Sequence, residues 1–239
     1  MIGSSYYYEL LNEYDEEFDK FFKIRADFDY EMPRTDENIR KIAQFIKRFV
    51  DREGCMEFDV SAVCAIVEYS SRTAERQDKL STRFNHLAEI LCEAVTWAKL
   101  EGAELVTAAH IQKTIYEKEQ RMKLYEEKLD EMLEENVIMI DTEGAEIGQI
   151  NGLAVLDMGN YAFGNPSRIT ATTYVGKSGI VNIEKEARLS GQTHDKGVQI
   201  ITGFLGQTYA QNFPLSLSCR VCFEQNYNGI DGDSASSTE

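Results

Sequence analysis

The hydrophobic pattern changes its period near Asn136, and this change constrains the fold more than any other feature of the sequence. Before Asn136, apolar residues recur every three or four positions, which is the spacing of amphipathic helices. After it, glycine, threonine and β-branched residues become more frequent and apolar residues alternate, which is typical of strands. The sequence therefore predicts a helical domain followed by an α/β or α+β domain.

Capping residues mark where the helices of the first part begin. Apolar residues at helical spacing cover 6–22, and capping chemistry then predicts N-caps at Thr35, at Asp59, at Ser81 or Thr82, and at Thr107. We expect the helix after Thr35 to stop around Gly54. The last helix is expected to continue as one strongly charged connecting helix to Glu135.

Alternating segments in the second part predict strands over 146–158, 167–175, 179–183 and 215–223. We expect the turn Gly176-Lys177-Ser178 to join the two middle strands as a β-hairpin. Helical spacing returns over 196–209, and a further helix is predicted to begin near the end of the chain.

The acidic balance excludes several classes of partner. The 239 residues carry a net charge of −16, whereas nucleic acid and anionic membranes both require a basic surface. No apolar run reaches the length of a membrane span, and the N-terminus does not resemble a signal peptide. Three histidines leave little material for a histidine-rich metal site, so we expect no metal. The sequence predicts a cytoplasmic protein.

Two short motifs resemble known binding sites, but their surroundings in the sequence argue against a phosphate-binding loop and against a redox or zinc site. Gly176-Lys177-Ser178 resembles the end of a phosphate-binding loop, but Ala171 stands where that motif needs glycine and a strand follows where it needs a helix. Cys219 and Cys222 have the CxxC spacing of redox and zinc sites. In a strand, residues three apart lie on opposite faces, so the two sulfurs diverge. We interpret them as buried structural thiols in a reducing compartment.

The segment 231–236 (DGDSAS) follows a strand and opens a helix, which suits a serine nucleophile. The amides of a helix N-terminus favour negative charge developing on an oxyanion. A structural alternative is that Ser234 or Asp233 only caps the helix. An α/β-hydrolase site is excluded because Ser236 replaces its last glycine, and a chymotrypsin-like site because that fold is all-β. A Ser–Lys dyad remains, in which a desolvated lysine acts as general base.

This segment resembles the active-site segment of Lon-type ATP-dependent serine proteases, in the LonB-like branch whose nucleophile motif is GDSAS. The stretches that carry the resemblance, in order, are 148–154 (GQINGLA), 164–169 (GNPSRI), 194–197 (HDKG), 223–227 (FEQNY) and 230–236 (IDGDSAS). The resemblance implies three parts: 1–26 as the end of an AAA+ large subdomain, 27–136 as the helical AAA+ lid with a connecting helix, and 137–239 as the first part of the proteolytic α/β domain.

The resemblance also implies the chemistry. Ser234 would attack the peptide carbonyl and Asp233 would support the site, while the catalytic lysine of the family lies about forty residues beyond the serine. The parent protein would bind ATP with Mg²⁺, assemble as a hexamer and degrade unfolded or regulatory proteins. Arg83 is the candidate lid arginine toward the phosphates, with Arg72 and Arg76 as rivals. We expect these 239 residues alone to be inactive, with no ATP bound.

Two other functions are weighed against the protease. A non-catalytic adaptor could retain the same scaffold for binding, and the coding sequence beyond Glu239 separates the two: an open frame with a lysine favours the protease, and a stop codon favours the adaptor. The sequence gives little support to a DNA-contacting regulator, since residues 1–136 contain no long basic run.

Overall fold

The computed structural model describes residues 2–159, 161–213, 216–227 and 229–238. The chain forms two compact units, Met1–Lys118 and Glu119–Glu239. None of the helices in the described residues is both long and apolar enough to cross a membrane. The fold class expected from the sequence, a helical part followed by an α/β part, is confirmed.

Helices dominate the first unit. They are α1 (Ser5–Tyr14), α2 (Phe18–Phe21), α3 (Asp36–Glu53), α4 (Val60–Thr73), α5 (Phe84–Leu100) and α6 (Ala108–Gln120). Two short antiparallel strands, β1 (Glu31–Pro33) and β2 (Lys79–Ser81), accompany them. The apolar stripes of α3, α4, α5 and α6 meet in one core that includes Ile42, Ile66, Leu87, Leu91 and Ile111, all fully buried. This burial is the main stabilisation of the unit.

Two of the expected caps are confirmed by side-chain geometry. The side chain of Thr35 accepts a hydrogen bond from the Asn38 amide at the start of α3, and Asp59 accepts one from the Ala62 amide at the start of α4. Helix α3 ends at Gly54, which takes the left-handed conformation usual for that position.

Two expectations for the first part are wrong. Neither Ser81 nor Thr82 caps α5: the helix follows Arg83, which makes no side-chain capping bond, because Ser81 is held as a strand residue of β2. The charged helix is also not continuous to Glu135. Helix α6 ends at Gln120, a turn intervenes, and α7 covers Leu124–Glu134. No proline or glycine marks that break in the sequence.

A mixed four-stranded sheet forms the centre of the second unit. Its strands are β3 (Gln149–Asp157), β4 (Ala162–Val175), β5 (Gly179–Asn182) and β6 (Leu217–Phe223), in the order β3-β4-β6-β5. Helices α8 (Ile183–Glu186), α9 (Gln192–Tyr209) and α10 (Asp233–Thr238) complete it. Ile169, Cys219, Val221 and Phe223 form the buried apolar cluster of the sheet.

The predicted hairpin around Gly176-Lys177-Ser178 is wrong. Strand β6 lies between β4 and β5, so β5 pairs in parallel with β6 and not with β4. Seven residues of β6 pair with β4, whereas the shorter β5 offers four residues and pairs along the other edge of β6. The hairpin of this sheet is β3 with β4, which pair from Asp157 and Ala162 onward.

Candidate active site

The predicted nucleophile lies at the beginning of α10, on the surface of the second unit. Helix α10 starts at Asp233, and both Asp233 and Ser234 are exposed. Gly232 directly precedes the helix with a φ of 113°, a conformation that side chains rarely adopt. The position directly before the helix is therefore occupied by glycine.

Asp231 anchors this loop to the N-terminus of α9. Its carboxylate accepts hydrogen bonds from the backbone amides of His194, at 3.0 Å, and Gly232, at 2.9 Å. The hydrogen bond from His194, followed by that from Gly232, holds the pKa of Asp231 below its ordinary value. Helix α9 begins after Gly191, which has no side chain to cap it, so Asp231 supplies the missing acceptor from a distant part of the chain.

A second backbone connection fixes the same loop. Ser190 and Ile230 form an isolated parallel bridge. The Ile230 amide donates to the Leu189 carbonyl and the Gly191 amide donates to the Ile230 carbonyl, each at 2.8 Å. The loop that leads to Ser234 is thus attached by its backbone and by Asp231 to the segment preceding α9.

Helix α9 approaches the nucleophile helix at a glycine. A Cβ atom on Gly197 would lie 1.9 Å from the Oγ and 2.8 Å from the Cβ of Ser236. Ser236 is 2% exposed, and its hydroxyl donates to the Asp233 carbonyl at 2.7 Å. The HDKG stretch therefore contributes its glycine to close packing beneath the GDSAS stretch.

The histidine of the HDKG stretch is buried and does not face solvent. His194 has no exposed surface, its Nε2 lies 2.9 Å from the side-chain amide of Asn182, and its ring meets Phe223 edge-on. Lys196, two positions on, is exposed. These contacts fix α9 against the ends of β5 and β6.

Residues of the FEQNY stretch attach the sheet to its surroundings. Glu224 accepts from Arg168 of the GNPSRI stretch, with Nε at 2.7 Å and Nη2 at 2.5 Å from one carboxylate oxygen. The hydrogen bond to Glu224 raises the pKa of Arg168. The side-chain amide of Gln225 accepts from the Met139 amide and donates to the Val137 carbonyl. Stretches far apart in the sequence thus meet around the end of β6.

The candidate lid arginine belongs to the first unit. Arg83 precedes α5, is exposed, and holds its guanidinium 5.2 Å from the ring centre of Tyr30. Its rival Arg76 is bound in ion pairs with Asp78, at 2.9 Å, and Glu31, at 3.9 Å. Arg83 keeps its charge available to an outside anion, because no carboxylate among the described residues pairs with it.

The CxxC pair has the geometry expected of structural thiols. Cys219 is buried in the sheet cluster, and Cys222 lies three positions further along β6, half-buried. Within the described ranges, no group of three or more histidine, cysteine, aspartate or glutamate side chains could hold a metal ion.

Sequence reasoning assigned no role to three residues that position this site: Asp231, Gly191 and Gly197. A Cβ on Gly191 would lie 2.2 Å from the carboxylate carbon of Asp231, so the position of that carboxylate requires glycine at 191. Two signals were present, the repeated Asp-x-Asp before the serine and the glycine that ends HDKG. Neither could reveal its partner, since each partner lies more than thirty residues away.

Comparison with known proteins gives a consistent result. Residues 57–121 match the family described as archaeal LonB, AAA+ ATPase lid domain, and residues 1–29 match the LonB-like AAA domain. A Lon protease homolog of Haemophilus influenzae is 30% identical over 191 residues, which are 77% of this chain and 31% of that protein. The archaeal Lon protease of Archaeoglobus fulgidus is 27% identical over 86% of this chain and 32% of its own length.

The chain is a LonB-type relative of the Lon proteases. A Lon protease homolog of Escherichia coli shares 42% identity over 118 residues, which are 48% of this LonB-type chain and 20% of that relative. The LonB-type chain therefore spans less than a third of the length of these relatives.

Proposed function

We propose that this chain carries the nucleophile of an ATP-dependent serine endopeptidase and that Ser234 is that nucleophile. The observation that carries the proposal is the placement of Ser234: it is exposed at the first turn of α10, on a loop held by Asp231 and by the bridge between Ser190 and Ile230. A reacting group held by rigid surroundings needs little reorganisation to reach its productive geometry.

The chemistry proposed is acyl transfer by a Ser–Lys dyad. The Ser234 Oγ forms a bond to the carbonyl carbon of the scissile peptide while a neutral lysine takes its proton. The carbon–nitrogen bond then breaks, the proton passes to the leaving amine, and water hydrolyses the acyl ester. Asp233 supports the site from the adjacent position. The dyad's lysine is not assigned among residues 1–239, so we propose that these residues alone do not turn over peptides.

The helical part is proposed to serve nucleotide-dependent unfolding. We assign 1–26 to the end of the AAA+ large subdomain, 27–136 to the lid and connecting helix, and 137–239 to the proteolytic domain. Arg83 fits a phosphate ligand chemically, because its guanidinium is exposed at the start of the 17-residue helix α5 and forms no ion pair with the residues that the structure describes. ATP with Mg²⁺ would supply the energy for unfolding. The working assembly is proposed to be a hexamer that acts on unfolded or regulatory proteins in the cytoplasm.

Degradation of casein by the full-length protein with ATP tests the proposal. The Ser234→Ala variant is expected to lose proteolysis and to retain ATP hydrolysis, because the hydroxyl acts only at the peptide bond. Ser178→Ala is the matched control, since Ser178 is an exposed serine in the turn before β5. Undiminished casein cleavage by Ser234→Ala would refute the assignment and favour an adaptor role for this segment.

A further inference from the structure

A polar cleft lies beside the loop that carries the candidate nucleophile. Its volume is about 510 Å³, and its lining includes Arg188, Ser190, Gly191, Tyr227, Ile230 and Asp231. Asp231 of this lining stands three positions before Ser234 on the same loop. A molecule in the cleft would therefore lie beside the loop that carries the candidate nucleophile.

Arg188 occupies this cleft at a cost to its own backbone. It follows α8 with a φ of 61°, its amide donates to the Lys185 carbonyl at 3.0 Å, and the next amide, of Leu189, donates to the Glu184 carbonyl at 2.7 Å. This pair of bonds is the helix ending in which glycine is the usual residue at the left-handed position. Glycine would relieve the backbone here, so the long side chain of Arg188 is held in the cleft at a strained position.

The charge of Arg188 has no partner in the described part of the chain. Its side chain is exposed, and no carboxylate there lies within ion-pairing distance of it. The neighbouring carboxylate of Asp231 is directed to the amides of His194 and Gly232. The cleft thus presents a guanidinium available for a carboxylate, which it can bind through two parallel hydrogen bonds.

Backbone groups of the same segment face away from the bridge. The parallel pairing of Ser190 with Ile230 uses the Leu189 carbonyl and the Gly191 amide. The amide and carbonyl of Ser190 itself point to the opposite side, as in any parallel pair. Across the described ranges no group bonds to them, so they can pair with an extended peptide.

We propose that this cleft binds an extended, carboxylate-bearing stretch of peptide, whose backbone pairs with Ser190 and whose carboxylate meets Arg188. The inference rests on the proposed function, since it names the class of peptide that would bind beside the loop of Ser234. Acidic side chains and the C-terminal carboxylate of a peptide share the required chemistry, and the experiment separates them.

The test is binding of three matched fluorescent peptides to the 239-residue chain, measured by anisotropy at low salt. One peptide carries glutamines and an amidated C-terminus, the second replaces the glutamines by glutamates, and the third keeps the glutamines with a free C-terminal carboxylate. We expect one of the carboxylate peptides to bind about tenfold more tightly than the amidated glutamine peptide, the size of one charge-assisted hydrogen-bonded pair. The tighter peptide identifies the source of the carboxylate.

Variants of Arg188 complete the test. Arg188→Gly is expected to abolish the tenfold preference and to raise the unfolding temperature, because glycine relieves the strained backbone. Arg188→Lys is expected to keep part of the preference, since it retains the charge and the strain. Equal binding of all three peptides, no binding of any, an unchanged preference in Arg188→Gly, or a lowered unfolding temperature in that variant would each overturn the proposal.

The assignment of Ser234 as nucleophile and the carboxylate site at Arg188 can be refuted independently of each other. If the full-length Ser234→Ala variant still degrades casein, the assignment of the nucleophile is wrong whatever the peptides do. If that variant is inactive but Arg188→Gly binds the peptides unchanged, the nucleophile stands and the carboxylate site is wrong.

Discussion

Replacement of Gly197 by alanine tests the packing that holds α10 in place. The added methyl group would meet Ser236, with the Oγ at 1.9 Å and the Cβ at 2.8 Å. The hydroxyl can rotate away if it gives up its bond to Asp233. The Cβ cannot, because it is fixed to the backbone of α10. It falls more than half an ångström short of ordinary carbon contact, so one of the two helices has to move.

The magnitude follows from two opposing terms. Overpacking a well-filled contact costs about 1–3 kcal/mol, whereas replacing glycine by alanine inside a helix contributes about 1 kcal/mol of stability. Gly197→Ala is therefore expected to lower the free energy of unfolding by about 0–2 kcal/mol. Gly203 lies in the same helix with no atom within 4 Å of the position of its Cβ, so Gly203→Ala is expected to raise that free energy by about 1 kcal/mol.

Urea unfolding followed by far-ultraviolet circular dichroism compares the two variants. The tryptophan of the chain, Trp97, lies in the first unit, so its fluorescence records the unfolding of that unit beside the circular dichroism of the whole chain. Adding Ser236→Ala to Gly197→Ala should recover part of the loss, because it removes the hydroxyl and leaves the Cβ contact. A Gly197→Ala variant as stable as Gly203→Ala would refute the close approach of α9 and α10.

Three further outcomes are expected. The pKa of Asp231 is lowered in the folded chain, so its contribution to stability is present above the unfolded value near pH 4 and is lost as the pH falls through the folded value. In Asp231→Asn, the free energy of unfolding should fall less steeply as the pH is lowered into the acid range. An unchanged pH dependence in that variant would contradict this. The hydrogen bond from Tyr161 to Glu126 raises the pKa of Tyr161 to about 12. Stability should therefore be lost from the unfolded value near pH 10 up to about pH 12, and Tyr161→Phe should remove this alkaline loss in circular dichroism. In the full-length protein, Arg83→Ala should lower ATP hydrolysis by about tenfold in a phosphate-release assay, and Arg76→Ala should have a smaller effect; the reverse order would assign the nucleotide contact to Arg76.

Local chemistry made part of the fold predictable. Thr35 and Asp59 were identified as caps because an N-cap depends only on a side-chain oxygen and an amide three positions away. Strand β6 was predicted because its apolar alternation is long and uninterrupted. These features need no knowledge of the rest of the chain.

Long-range pairing was not predictable from the same patterns. The short turn after Val175 suggested a hairpin, but β6 forms its own antiparallel pairs with β4 and excludes β5 from that edge. Helix α5 lacks its expected cap because Ser81 pairs with Glu31 in a small sheet, a contact that propensity does not reveal. The break between α6 and α7 contains only charged and apolar helix-forming residues, so composition offers no sign of it.

The candidate site shows the same contrast between local features, which the sequence reveals, and long-range contacts, which it does not. Ser234 could be singled out because its motif is a short run of residues at the start of a helix. The resemblance to Lon-type proteases rests partly on that same run. The residues that hold its loop could not, since Asp231 bonds to the amide of His194, 37 positions away along the chain, and Arg188 enters the cleft only through the bridge between two distant segments.

The most direct test of the central claim is to identify the serine that reacts with a fluorophosphonate probe in the full-length protein during ATP-dependent casein degradation. After digestion and mass spectrometry, we expect the covalent adduct on Ser234, with labelling and proteolysis lost together in Ser234→Ala. An adduct on another serine, or proteolysis that continues with Ser234 unlabelled, would contradict the account.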